Sequence, residues 1–143
     1  MIRNSLRIAL AQVNPTVGAV SSNRELLLEQ VQRAIEANAD LIVFPELATL
    51  GYPPKDLLDL PRVVEGNLET VDRLRDASHQ IAILVGYVDR DRGSAGKSLT
   101  NSAALLVDGA CAARWDKALL PTYDVFDEAR YFEPSTQTHL AEF

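Results

Sequence analysis

Two short apolar runs separated by one amphipathic helical stretch confine this chain to an α/β architecture. Arg7-Ile8-Ala9-Leu10-Ala11-Gln12-Val13 closes on Asn14-Pro15 and reads as a buried strand ending in a turn. Ser22-Asn23-Arg24-Glu25 has capping-box spacing, and Leu27, Val31, Ala34 and Ile35 share a helical face up to Asn38, which suits a left-handed C-cap. Asp40 to Phe44 is a second apolar strand, broken by Pro45. Strand, helix and strand joined this closely imply a βαβ unit with parallel strands.

The next stretch, Thr49 to Pro61, is a loop punctuated by Gly51 and Pro53-Pro54, with Asp56-Leu57-Leu58 making one helical turn. Pro61 fits the first turn of a helix whose Val64, Leu68, Val71 and Leu74 form a stripe ending near Ala77. Ile81 to Val88 reads as a third strand, and Asp89 to Lys97 is polar and glycine-bearing. Asn101 to Val107 and Ala110 to Trp115 then read as two strands joined by a hairpin turn at Asp108-Gly109. The expected sheet is therefore mixed. Beyond Lys117 come Leu119-Leu120-Pro121, an acidic and aromatic stretch to Tyr131-Phe132-Glu133-Pro134, and a polar tail. His139 to Phe143 resembles the entry to another strand. There is no repeat, low-complexity segment or linker, so residues 1–143 read as one domain or part of one.

A length of 143 residues with 47% apolar content supports a packed core and argues against disorder. A net charge of -6 lacks the basic field that binds a phosphate backbone, which excludes nucleic acid as a partner class. One cysteine makes no internal disulfide, in keeping with a reducing cytoplasm, and no metal-ligand spacing is present. The start, Met1 to Ala11, imitates a signal peptide, but Arg7 interrupts it. No apolar run approaches the ~20 residues of a membrane span. The expectation is a soluble, unprocessed cytoplasmic protein with no membrane partner.

Glu46 directly follows a buried parallel strand, and the carboxyl ends of such strands line the crevice where α/β proteins place their sites. A plainer role is a loop carboxylate capping the turn near Lys55-Asp56. Lys117, at the end of a later strand, is either a second site residue or an ordinary solvated lysine. A carboxylate and an ammonium at separate strand ends have the chemistry of a general base and an oxyanion stabiliser for attack on an amide. The nucleophile is missing. Cys111 lies on the strand feeding Lys117, where a small buried structural thiol is expected. Gly93-Ser94-Ala95-Gly96-Lys97-Ser98 imitates a phosphate-binding loop, yet its first glycine would fall at Asp91 and a strand follows it, so a solvated hairpin loop is expected. His79 and His139 have no partner at ligand or triad spacing and read as surface or turn residues. Asp124, Asp127 and Glu128, read alone, are a solvated acidic cluster.

Phe44-Pro45-Glu46 through Gly51-Tyr52-Pro53-Pro54-Lys55-Asp56-Leu57-Leu58, together with Lys117 through Leu120-Pro121-Thr122-Tyr123-Asp124-Val125-Phe126-Asp127-Glu128, resemble the nitrilase superfamily of carbon-nitrogen hydrolases. More narrowly they resemble the amino-terminal glutaminase domain of the glutamine-dependent NAD synthetases, from Leu6 to Phe143. The resemblance implies a nitrilase-like α-β-β-α sandwich, present only as its amino-terminal half. It implies Glu46 as general base, Lys117 as oxyanion stabiliser, Tyr123 as a contact to substrate L-glutamine and Glu128 as an accessory acid, with an orienting salt bridge as the alternative. It further implies a nucleophilic cysteine downstream of these residues, a separate synthetase domain using ATP and Mg, ammonia supply for amidation of deamido-NAD, and a homo-oligomer at full length. No cofactor is expected in this fragment. The isolated chain is expected to be inactive, and its open sheet to favour self-association. Two alternatives remain: another amidase or nitrilase of the superfamily, which Gly51-Tyr52-Pro53-Pro54 argues against, and a degenerate, non-catalytic binding module.

Overall fold

The computed structural model describes residues 5–90 and 97–142. Its sheet has five strands in sequential order: β1 (Ile8–Leu10), β2 (Leu41–Val43), β3 (Ala82–Arg90), β4 (Leu99–Val107) and β5 (Ala110–Asp116). β1, β2 and β3 run parallel, while β3, β4 and β5 are antiparallel, so the expected mixed sheet is formed. The Asp108-Gly109 turn has both residues in the left-handed region, at φ 50° and 76°, which matches the twist of a tight hairpin. The solvated loop expected around Gly93 falls at 91–96, outside the described residues.

Helices α1 (Val20–Glu36) and α2 (Pro61–Ala77) cover one sheet face. Leu27, Val31 and Ala34 of α1 and Leu74 of α2 meet Ile42, Ile83, Val85 and Leu106 of the sheet in the main core. These positions follow the helical and strand periods read from the sequence. Asn38 takes φ 54°, as expected of a left-handed residue after a helix. Lys55–Asp59 forms a 3-10 turn, and Pro61 opens α2.

Three local expectations are corrected. α1 begins at Val20 with Ala19 as its N-cap and no side-chain cap, two residues ahead of Ser22. Asn23 lies inside the helix, its side chain joined to both backbone groups of Thr16. β1 is an edge strand with Ile8 and Leu10 exposed, because among the described residues no helix packs on the second sheet face at this edge. Val43, Leu84, Val107, Ala113 and Trp115 on that face are only partly buried. Residues 139–142 form no strand: His139 stacks its ring on Trp115 and accepts a hydrogen bond from Trp115 Nε1, so side-chain contacts take the place of a backbone ladder.

Candidate active site

The uncovered face carries the candidate site at the end of the sheet where β2 stops and β5 ends. Pro45, Glu46 and Leu47 cross directly over β3 at Gly86. A Cβ there would lie 2.6 Å from Leu47 N, 2.7 Å from Pro45 O and 2.8 Å from Glu46 Cα. Only glycine permits this approach. Leu47 itself is left-handed, at φ 47°, a strained conformation for a branched side chain. The loop is nevertheless well held. Leu50 and Gly51 N–H groups donate to Leu47 O, Thr49 Oγ1 donates to buried Asn67, and Asn67 also bridges both backbone groups of Val88.

Lys117 extends β5 by one residue. Its N–H donates to Asn101 O at 2.8 Å and its carbonyl accepts from Ser135 N–H at 3.0 Å. Just before it, Asp116 accepts from Ser102 and Arg114, and Arg114 also pairs with Asp89. This lattice of charged bonds on the helix side fixes the strand end from which Lys117 projects.

Lys117 Nζ reaches Glu46 Oε1 at 2.8 Å and Glu128 at 3.0 Å. The structure thus joins three of the four residues named from the sequence. The two carboxylates differ in access: the Glu46 side chain is 46% exposed and that of Glu128 only 5%. Glu128 opens the short helix α3 (Glu128–Tyr131), where its carboxylate also accepts the Tyr52 hydroxyl at 2.7 Å. It is a buried, fully engaged group and not part of a solvated cluster, because Tyr52 and Lys117 give it partners away from water. Burial, then the Glu128 bond, drives the Tyr52 phenol far above its usual range, so it stays a donor. Burial works against the Lys117 ammonium, but its bonds to Glu46 and Glu128 outweigh that and hold it above the usual lysine value.

Tyr123 is 69% exposed and packs edge-on against Phe126, lining the same groove as Lys117, Leu119 and Pro121. Cys111 is elsewhere. It pairs with Leu106 on the helix side, in a groove between α2 and β5. The residue is exposed and not buried as expected, because β5 is an edge strand that α2 leaves uncovered. Desolvation of its thiol and the nearby Asp89 carboxylate push it up, the reverse of nucleophile activation. Among the described residues no cluster of His, Cys, Asp and Glu is arranged to hold a metal ion, and no helix is long and apolar enough to cross a membrane.

Sequence reasoning missed Asn101, Tyr52 and Gly86. Asn101 Nδ2 donates to Glu46 Oε1 at 2.6 Å. A polar residue at the start of an apolar strand and a glycine inside another were the available signals.

The pattern described as carbon-nitrogen hydrolase matches residues 7–143. This chain belongs to the carbon-nitrogen hydrolase family. It is 45% identical over 135 residues to the glutamine-dependent NAD(+) synthetase of Synechocystis sp., covering 92% of this chain and 24% of that protein. The synthetase of Acinetobacter baylyi is 38% identical over 139 residues, covering 97% and 25% respectively. This carbon-nitrogen hydrolase segment thus spans about a quarter of the length of the curated relatives it matches. Among solved structures, the glutamine-dependent NAD+ synthetase of Acinetobacter baumannii superposes with a TM-score of 0.87 at 36% identity, over 96% of this chain and 26% of that one. A cysteine-to-alanine variant of the Nesterenkonia AN1 amidase, from the nitrilase superfamily, gives 0.78 at 27% identity over 92% and 49%. The carbon-nitrogen hydrolase fold here is the expected α/β arrangement, a mixed sheet with its two long helices on one face.

Proposed function

We propose that residues 1–143 are the amino-terminal part of a glutamine amidohydrolase domain. In the complete protein this domain releases ammonia from L-glutamine for ATP-dependent amidation of deamido-NAD. The observation that carries the reading is the Glu46–Lys117–Glu128 cluster at the strand ends, in a chain whose relatives are named for glutamine-dependent NAD synthesis.

In this reading the exposed carboxylate of Glu46 is the general base. It takes the proton of a cysteine thiol and later activates the water that opens the thioester. Lys117, held as an ammonium by two carboxylates, stabilises the oxyanion of the tetrahedral intermediate. Glu128 orients Lys117, and Tyr123 contacts the substrate from the rim of the groove. The nucleophile comes from outside these residues, since the single cysteine, Cys111, is turned to the opposite sheet face. A glutamate-to-leucine mutant of the Nesterenkonia amidase, which shows covalent addition of the acetamide moiety of fluoroacetamide at its active-site cysteine, supports a thiol nucleophile. ATP with Mg belongs to a separate synthetase domain, in keeping with the ADP complex of the Acinetobacter baumannii relative. Homo-oligomeric assembly and a cytoplasmic location complete the proposal.

The test is ammonia release from glutamine. The complete polypeptide carrying this segment is expected to release it, residues 1–143 alone are not, and Glu46→Gln is expected to lower kcat by at least ~10²-fold. Ammonia release by residues 1–143 at the rate of the complete polypeptide, or none from the complete polypeptide, overturns the reading.

A further inference from the structure

Besides Lys117, Asn101 is the one residue among those described that touches both carboxylates of the site. Its Nδ2 lies 2.6 Å from Glu46 Oε1 and 3.5 Å from Glu128 Oε2. Its carbonyl holds the Lys117 N–H. It is buried near the start of β4, locked opposite Val88 of β3. Among the described residues no alternative partner draws its amide away.

Two carboxylates around one ammonium leave a negative charge unbalanced. Such pairs commonly resolve it by sharing a proton, which makes one of them useless as a base. An amide nitrogen carries two N–H donors and no removable proton. Placed between the carboxylates, it fills the position that a shared proton otherwise takes. Glu46 Oε1 is then occupied by Asn101 and Lys117, while Oε2 takes no hydrogen bond among the described residues.

We propose that Asn101 is a positioning residue whose amide keeps Glu46 and Glu128 as separate carboxylates beside Lys117 and leaves Glu46 Oε2 as the oxygen that moves the proton. This rests on Glu46 being the general base. The other groups facing the pair are Lys117 from the end of β5 and Tyr52 from the loop after β2, and Tyr123 from the loop before α3 lies near Tyr52.

The experiment compares Asn101→Leu and Asn101→Asp with the unsubstituted complete polypeptide, measuring kcat and KM for glutamine against pH and solving the variant crystal structures. Both substitutions retain the backbone bond to Lys117. Asn101→Asp retains the side-chain shape but adds a third carboxylate. A carboxylate that loses a donor holds its proton more readily. The acid limb of kcat/KM is therefore expected to move to higher pH in both variants, with kcat lowered about tenfold or more and KM within about twofold. In the Asn101→Leu structure the two carboxylates are expected to draw together. An acid limb that stays in place, whatever happens to kcat, overturns the proposal. If the unsubstituted polypeptide hydrolyses no amide, the functional reading fails and the structure alone decides. Carboxylates that have drawn together sustain the positioning role, and carboxylates left where they were overturn it.

Discussion

Adding one methyl group at Gly86 is expected to disable the site without touching a charged residue. The new Cβ would sit 2.6 to 2.8 Å from three backbone atoms of Pro45, Glu46 and Leu47, whereas ordinary contact begins at 3.4 Å. The deficit is about 0.8 Å at the closest atom, and no flexible side chain can swing away to relieve it. Leu47 is already left-handed and the loop is tied to Asn67, so the whole turn must lift. A lift of that size stretches the 2.8 Å bond between Glu46 and Lys117 to about 3.6 Å, outside hydrogen-bond range. Gly86→Ala is therefore expected to reduce kcat/KM for glutamine by roughly 10²-fold, with about 1–3 kcal/mol of lost stability from overpacking. Gly66→Ala is the matched control. Its Cβ would meet only the Val20 side chain, at 3.2 Å, inside α2, where alanine gains up to about 1 kcal/mol of helix propensity over glycine. Ammonia release and urea unfolding of the complete polypeptide read both effects. A Gly86→Ala variant within about threefold of wild-type kcat/KM, and no less stable than the Gly66 variant, refutes the close-approach argument.

The Lys117 ion pair carries its own pH signature. A group whose folded value is raised contributes stability that is fully present below the ordinary lysine value of 10.5 and is lost as pH rises through the folded value. Urea midpoints from about pH 8 to 11.5 should fall more steeply at the alkaline end in wild type than in Lys117→Met; parallel curves would show that this pair is not the source. Cys111→Ala should leave glutamine turnover within about twofold of wild type, and a loss of more than tenfold would bring this thiol back into the chemistry.

Much of the frame was legible because periodicity reports which face of an element is buried. The Leu27–Val31–Ala34 stripe, Pro61 at the start of α2 and the Asp108-Gly109 hairpin all follow from local rules. The N-terminus of α1 did not, since the Ser22–Glu25 spacing competes with Asn23, whose side chain is drawn to Thr16 by a contact outside the helix. Burial of β1 and of Cys111 was overestimated for one reason: apolar content says that a face wants cover, not that this part of the chain covers it. Glu46 and Lys117 stood at recognisable strand ends. Asn101 and Gly86 did not announce themselves, because each acts on a residue more than 35 positions away, through an amide in one case and through an absent side chain in the other.

The charges around Lys117 also bear on how a turnover would end. Two carboxylates and one ammonium leave the resting cluster with a formal charge of minus one. A neutral carboxamide group approaches it without opposition. The acid formed by hydrolysis is an anion, and at about 4 Å like charges repel by about 1 kcal/mol in water and about 4 kcal/mol at the effective dielectric of a protein surface. Under the proposed hydrolysis, the cluster that receives the amide would then repel the product.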